Sequence, residues 1–360
     1  MTETTSTAAL FQPLAMRSLV LRNRIVVSPM CQYSAPEGIA GDWHLAHYGS
    51  LAAGGAAAVV FEATAVTPEG RISPGDLGLW NHAQVEPLAR VARFVASQGA
   101  APGIQLAHAG RKASTARPWD GGAPLAPAAG GWEVVGPAGV PYADGHPAPR
   151  ALDEAGLFSV IEAFRDAAVR ARTAGFRVVE IHGAHGYLVH QFLSPLVNTR
   201  TDRWGGSFGN RTRLALEVTR AVRGVWPAEL PVWVRLSATD WADGGWDADQ
   251  TVALAGLLKD AGADLVDCSS GGAVPWQKIT PVAGYQVPFA ERVRREAGIA
   301  TGAVGIITDP EQAEAIVAEG RADVVLLARE LLRDPHWPLR AAKSLGAEGP
   351  WPNPYLRAKR

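Results

Sequence analysis

Cysteine is nearly missing from this 360-residue chain. Only Cys31 and Cys268 occur, far apart and without CxxC spacing, so neither a disulfide framework nor an iron–sulfur or structural zinc site is indicated. A surplus of one charge is also lacking: 34 Lys+Arg stand against 35 Asp+Glu, a net charge of −1, which argues against a dedicated nucleic-acid surface. Charged residues make up only 19% of the chain and hydrophobic ones 47%, so overall disorder is excluded and material for a large core is present. No apolar run reaches the ~18 residues of a membrane span, and the Ala-rich stretch from Leu51 to Phe61 is interrupted by Gly54 and Gly55. Met1 to Leu10 has neither the basic nor the apolar region of a secretory signal. A frayed start on a cytoplasmic protein is the expectation.

What the chain does have is a repeating alternation. Short apolar or β-branched runs, each followed by a segment of helical period, read as strands at Ile25–Met30, Ala57–Ala63, Gly103–Ala107, Arg177–Ile181, Val232–Leu236, Leu265–Cys268, Thr301–Val304 and Asp323–Leu327. Several are continuous apolar runs, as strands buried on both faces should be. Between them Phe158, Ile161, Phe164 and Ala168 step by three or four, as do Val252, Ala255 and Leu258, giving each helix an apolar stripe. Gly54, Gly99, Gly175, Gly262, Gly298 and Gly320 stand where a left-handed residue would end a helix, and Pro227 and Pro231 do the stopping at the remaining turn.

Eight such units predict an α/β fold of (β/α)8 barrel type, one domain over residues 1–360, in preference to an open doubly wound sheet, because no GxGxxG follows the first strand. Phe11–Asn23 reads as a hairpin beneath the barrel. Residues 109–152 form a Gly-, Pro- and Ala-rich excursion after the third strand, long enough to be functional and expected over the C-terminal mouth. Residues 346–360 form a C-terminal tail.

Barrel chemistry gathers at the C-terminal strand ends. The first strand ends in Ser28-Pro29-Met30-Cys31-Gln32-Tyr33, the third carries Gln105 and His108, the fourth runs into His182-Gly183-Ala184-His185-Gly186-Tyr187, and the fifth ends at Arg235. The sixth ends in Ser269-Ser270-Gly271-Gly272, the seventh in Gly302-Ala303-Val304-Gly305 and the eighth in Leu327-Ala328-Arg329. Small residues after the last two strands with a nearby arginine suit a phosphate; a packing glycine and a surface arginine are the plain alternative. His182 and His185 have three readings: a metal pair with no visible third ligand, a hydrogen-bonded core pair, or donors to a ligand that gathers negative charge. A reduced flavin is such a ligand. Arg235 would stabilise its anionic N1–C2 edge, Gln105 would both donate to and accept from the pyrimidine ring, and Tyr187 would serve as a proton donor.

At this point the chain resembles the old yellow enzyme family of FMN-dependent ene-reductases, in its bacterial thermophilic-like subclass. The resemblance is carried by Leu21-Arg22-Asn23-Arg24-Ile25 leading into Ser28-Pro29-Met30-Cys31, by Gly103 to Ala113 with its His108-Ala109-Gly110-Arg111-Lys112 run, and by His182 to Leu188. It extends through Leu193-Ser194-Pro195-Leu196, Arg200 to Ser207 and Thr301 to Thr308. It implies FMN held without covalent attachment by Ser28, Pro29, Met30, Cys31, Ala63, Gln105, Arg235, Gly271, Gly305, Ala328 and Arg329. It further implies that His182 and His185 bind the oxygen of an activated alkene such as an enone, maleimide or nitroalkene. Hydride would pass from flavin N5 to the β-carbon and Tyr187 would protonate the α-carbon, with NADPH or NADH as the dissociable reductant in a ping-pong cycle. Cys31 would tune the flavin and Tyr33 would touch substrate.

No metal is implied. A homodimer or homotetramer is, with the tail's Arg357, or else Arg360, entering the neighbouring copy's site. Ala328 departs from the glycine that the resemblance leads one to expect before Arg329, which raises the question of whether its methyl crowds a phosphate. Trp43, Trp119 and Trp276 lie on mouth segments and read more readily as packing than as pocket walls. A flavin-binding redox sensor using Cys31 without sustained turnover is the alternative function. A lyase or aldolase on the same fold has less support, because no lysine closes a strand where a Schiff base would need one.

Overall fold

The computed structural model describes residues 8–359. Among them, eight parallel strands close into a barrel, preceded by an antiparallel hairpin of β1 (Leu14–Met16) and β2 (Leu19–Leu21). The barrel runs through β3 (Ile25–Val27), β4 (Ala58–Ala65) and β5 (Ala101–Ala107), passes over the short pair β6 (Val135–Gly136) and β7 (Arg150–Ala151) in the excursion, and resumes with β8 (Val178–Gly183) and β9 (Val232–Ser237). It is completed by β10 (Leu265–Ser269), β11 (Ala300–Ala303) and β12 (Val324–Leu327), and closes where Val325 of β12 pairs with Ile25 of β3. Strands β4, β5, β8, β9, β10 and β12 are buried along their whole length, which is why they read as mainly apolar runs, each but β12 carrying one or more polar residues inward or at its end. The first strand is shorter than expected: Ser28 N–H still bonds Leu327 O, but Pro29 has no N–H to extend the ladder.

The outer helices are α1 (Asp42–Ala53), α2 (Val85–Ser97), α3 (Glu154–Thr173), α4 (Leu188–Leu193), α5 (Phe208–Val225), α6 (Ala248–Asp260), α7 (Val287–Ala297), α8 (Pro310–Ala318), α9 (Arg329–Arg333) and α10 (Trp337–Ser344). Asp153, Ser207, Asp247 and Asp309 cap α3, α5, α6 and α8 by accepting from first-turn N–H groups. The hairpin plugs the bottom: Met16, Leu19 and Leu21 pack with Val26, Val60, Trp233 and Leu265, and the Trp233 indole N–H points at Met16 Sδ at 3.0 Å.

Three local expectations need correction. The start is not frayed where it is described, because Leu10 is fully buried and the N–H groups of Ala9 and Leu10 bond the Glu314 carboxylate at 2.8 and 2.7 Å; Met1–Thr7 lie outside the described residues. Gly54 is right-handed, and the left-handed residue ending α1 is Gly55. Gly54 is needed for close approach instead, since a Cβ there would lie 1.8 Å from Pro335 O. On α3, Phe158 is exposed at the edge of Trp204, and Leu157 joins Ile161, Phe164 and Ala168 on the buried face.

Candidate active site at the barrel mouth

Two polar assemblies occupy the C-terminal mouth. The first rises from inside the barrel, where Gln105 of β5, Glu180 and His182 of β8, Arg235 of β9 and Asp267 of β10 are all buried. Register pairs His182 with Arg235 and Arg235 with Asp267, so one layer carries cation and carboxylate side by side. The Arg235 guanidinium lies 3.0 Å from Asp267 and donates to Ser28 Oγ at 3.1 Å, and the Gln105 amide donates to Glu180 at 2.7 Å.

The second assembly is the turn after β8. His185 takes a left-handed backbone (φ 61°), a conformation that costs energy for a residue with a side chain and recurs at functional sites. Its N–H donates to Ser237 Oγ at 2.9 Å, the next N–H, of Gly186, donates to His190 Nδ1 at 2.8 Å, and Leu188 N–H reaches His108 O. The rings of His182 and His185 meet edge to face with centroids 5.1 Å apart, and Tyr187 lies 4.9 Å from His182. Burial, reinforced by the Arg235 and Lys112 cations, pushes both imidazoles well below the usual histidine range, so they are neutral at pH 7. A neutral imidazole carries one N–H, and its contacts decide where. His182 Nδ1 accepts from Ala184 N–H, leaving Nε2–H as donor, while His185 Nε2 shares a 2.7 Å hydrogen bond with Ser269 Oγ, which serves either tautomer of His185. Burial and the nearby Cys31, Tyr33 and Asp76 raise the Tyr187 phenol well above its ordinary value and keep it protonated.

The excursion is laced to this turn by two cations, the buried Arg111 and the part-buried Lys112. Arg111 donates to Val140 O, Pro141 O and Ala273 O; Lys112 donates to His185 O and Gly272 O and lies over the rings of Tyr142 and Tyr187. Burial and the neighbouring Arg111 bring the Lys112 ammonium down to about 8. Both residues were visible in the motif after β5, but nothing in their spacing assigned them this role. Cys31 and Tyr33, from the segment after β3, lie near Tyr187. Burial and the Asp76 and Glu62 carboxyls push the Cys31 thiol up, so it is no thiolate, and Tyr33 has a left-handed backbone (φ 49°).

The packing role expected of the three tryptophans is not what the structure gives: Trp43, Trp119 and Trp276 are exposed, and Trp119 reaches over from the excursion to stand edge-on to Tyr33 at 5.8 Å. Arg357 lies in an exposed turn, and its side chain has no ion-pair or hydrogen-bond partner among the described residues; Arg360 is outside them.

A cavity of about 400 Å³ runs from His185, Ser269 and Ser270 to Gly305, Ala328 and Arg329. Gly271 is not on its wall; its N–H bonds Thr239 O and its carbonyl accepts from Ser237. Gln286, tied to Ser270 Oγ at 2.5 Å, is a wall residue that the strand-end reading passed over, because it belongs to no strand end.

A family model described as NADH:flavin oxidoreductase / NADH oxidase matches residues 9–348. The chain belongs to that family. It is 48% identical over 339 residues to an NADPH dehydrogenase of Geobacillus sp. (strain WCH70), covering 94% of both chains. It is also similar to a solved old yellow enzyme homologue from Zymomonas mobilis, 25% identical with a TM-score of 0.78 over 95% of this chain and 94% of that one. A 2-naphthoyl-CoA reductase shares the fold at a TM-score of 0.84 over 93% of this chain, which spans 52% of that longer protein. The protein is thus an NAD(P)H-dependent flavin oxidoreductase of the old yellow enzyme type, and FMN is the family's cofactor.

The residues present fit FMN. At the far end of the cavity the backbone N–H groups of Gly305, Ile306, Ala328 and Arg329 find no acceptor among the described residues, and the Arg329 guanidinium has no carboxylate partner there. Such a donor set suits a phosphate. Gly305 has φ 120°, a backbone that residues with a side chain rarely adopt, and a Cβ on it would come within 2.9 Å of the Gln286 amide on the cavity wall. Arg235 and Gln105, buried inside the barrel and not on the wall of this cavity, carry the cation and amide that the pyrimidine edge needs.

Proposed function

We propose that this flavin oxidoreductase reduces the carbon–carbon double bond of activated alkenes, such as enones, maleimides and nitroalkenes, in a ping-pong cycle driven by NADPH or NADH. The observation that carries the reading is the neutral pair His182 and His185, edge to face, with the Nε2–H of His182 to spare, beside the protonated phenol of Tyr187. When bound, FMN supplies the hydride chemistry, taking hydride from the nicotinamide and delivering it to the β-carbon. The two imidazoles donate to the carbonyl or nitro oxygen and stabilise the negative charge that develops there. Tyr187 holds the proton for the α-carbon. Tyr33 also bounds the substrate.

In this reading FMN is held by Ser28, Pro29, Met30, Cys31, Ala63, Gln105, Arg235, Gly271, Gly305, Ala328 and Arg329. Gly271 acts from behind, by shaping the turn after β10. The protein works as a homodimer or homotetramer in which Arg357 reaches the neighbouring mouth, a role that the exposure of Tyr355, Leu356 and Arg357 supports. The two unpaired thiols, Cys31 and Cys268, support a cytoplasmic setting. Anaerobic NADPH should bleach the flavin bands of the purified protein, and cyclohexenone should restore them over many cycles. A single bleaching that no alkene reverses would leave a redox sensor in place of an ene-reductase.

A further inference from the structure

The barrel interior under the mouth holds more acid than the proposed reaction uses. Glu180 and Asp267 are both fully buried, and each faces a side chain proposed to bind the cofactor: Glu180 accepts from the Gln105 amide at 2.7 Å, and Asp267 lies 3.0 Å from Arg235 Nε. Each also has an oxygen without a partner among the described residues, Glu180 Oε2 and Asp267 Oδ1. The charged groups facing Glu180 are Arg235 on β9 and Asp267 on β10; β5 presents the neutral Gln105, and His182 on its own strand is neutral. One cation cannot neutralise two buried carboxylates. Burial and the Asp267 charge therefore raise the Glu180 carboxyl to about 8, while Asp267, paired with Arg235, is raised less.

We propose that Glu180 is a positioning residue that orients Gln105 toward the flavin and holds a proton inside the barrel, a proton exchanged with solvent in step with flavin reduction. The proposal rests on the FMN site described above. The balance is simple. Hydride from NADPH carries two electrons and one proton to the flavin, leaving NADP⁺ and one added negative charge at the mouth. Where Glu180 is ionised in the oxidised enzyme, that charge raises its affinity for a proton, and one proton from solvent binds the carboxylate. Where Glu180 already carries its proton, none is taken up there.

The test uses the FMN-loaded enzyme and Glu180→Gln, which keeps the amide contact to Gln105 and cannot ionise. Flavin midpoint potentials are measured by dye equilibration from about pH 6 to about pH 9.5. Below neutrality the two proteins should follow parallel lines. Above about pH 8 the wild type should fall more steeply, the additional loss approaching tenfold in the reduction equilibrium per pH unit, or ~30 mV for a two-electron couple. Proton uptake on NADPH reduction in weakly buffered indicator solution should rise across the same range in the wild type. Parallel lines throughout, with unchanged proton uptake, would overturn the proposal. A Glu180→Gln protein that loses FMN would leave the wild-type proton count as the deciding measurement. A protein that never binds FMN would instead count against the flavin site itself.

Discussion

His190 and Asp240 form a fully buried pair, Nε2 to Oδ1 at 2.9 Å, and through it the turn carrying His185 and Tyr187 is bolted to the loop after β9. His190 Nδ1 accepts from Gly186 N–H, so its other nitrogen carries the proton and faces the Asp240 carboxylate. The carboxylate also accepts from Ser194 Oγ at 2.6 Å and Trp246 N–H at 2.8 Å. Burial pushes the Asp240 carboxyl up, but the bonds from His190, Ser194 and Trp246 outweigh it and hold it below its ordinary value.

Asp240→Ala should cost about 3 kcal/mol, since it strands three buried donors, and urea unfolding measures this. A group held below its unfolded pKa contributes stability that is present above about pH 4 and lost as pH falls through the folded value. The wild type should therefore lose stability on that acid limb, and Asp240→Asn should not show this component.

Replacing Tyr187 by Phe removes the proposed proton donor while leaving the ring that packs beside His182. Alkene reduction should slow by about 10²-fold or more, and flavin reduction by NADPH should stay close to wild type. Stopped-flow measurement of the two half-reactions separates them. Equal slowing of both would remove Tyr187 from the proton-transfer role.

Phenols that bind a flavin mouth through their oxygen produce a long-wavelength charge-transfer band, which gives a direct titration of the imidazole pair. His182→Ala and His185→Ala should each weaken p-substituted phenol binding by about tenfold or more, the worth of one hydrogen bond to an anionic oxygen. An unchanged titration would mean that the two N–H groups serve the fold and not the ligand.

Arg329→Met should weaken FMN binding at least about tenfold and leave riboflavin binding nearly unchanged, because only FMN carries the phosphate. Ala328→Gly is expected to change FMN affinity by less than about threefold: Ala328 has a negative φ of −112°, and its N–H is free whether or not a methyl is present. Isothermal titration of the apoprotein reads both. A large gain on Ala328→Gly would show that the methyl intrudes on the phosphate.

Truncation after Tyr355 removes Arg357 from a turn that makes few contacts with the barrel. The substrate KM should change with the thermal midpoint held within a few degrees, as expected for a surface change worth less than ~0.5 kcal/mol. Identical kinetics would dismiss the tail from the neighbouring site.

The amino-acid sequence by itself determined the barrel and most of its mouth. Strands covered on both faces are mainly apolar, so β4, β5, β8, β9, β10 and β12 announce themselves as short apolar runs, and in a parallel barrel the polar residues closing those runs share one end. Ser28, Gln105, His182, His185, Arg235 and Arg329 were readable for that reason. The tertiary structure decided what depends on lateral register and on contacts between distant segments. Glu180 looks like one polar residue inside an apolar strand until pairing with β9 and β10 sets Arg235 and Asp267 near it. Lys112 gains its place only when the excursion folds back to the His185 and Gly272 carbonyls, and Asp240 only when the β9 loop meets α4. Gly54 is the local counterpart: its neighbour Gly55 satisfies the helix-end rule, while Gly54 answers to Pro335, far along the chain. Periodicity reports which face is buried, a property of neighbouring residues. Charge pairing inside a barrel is set by how eight strands align, and no local pattern encodes that.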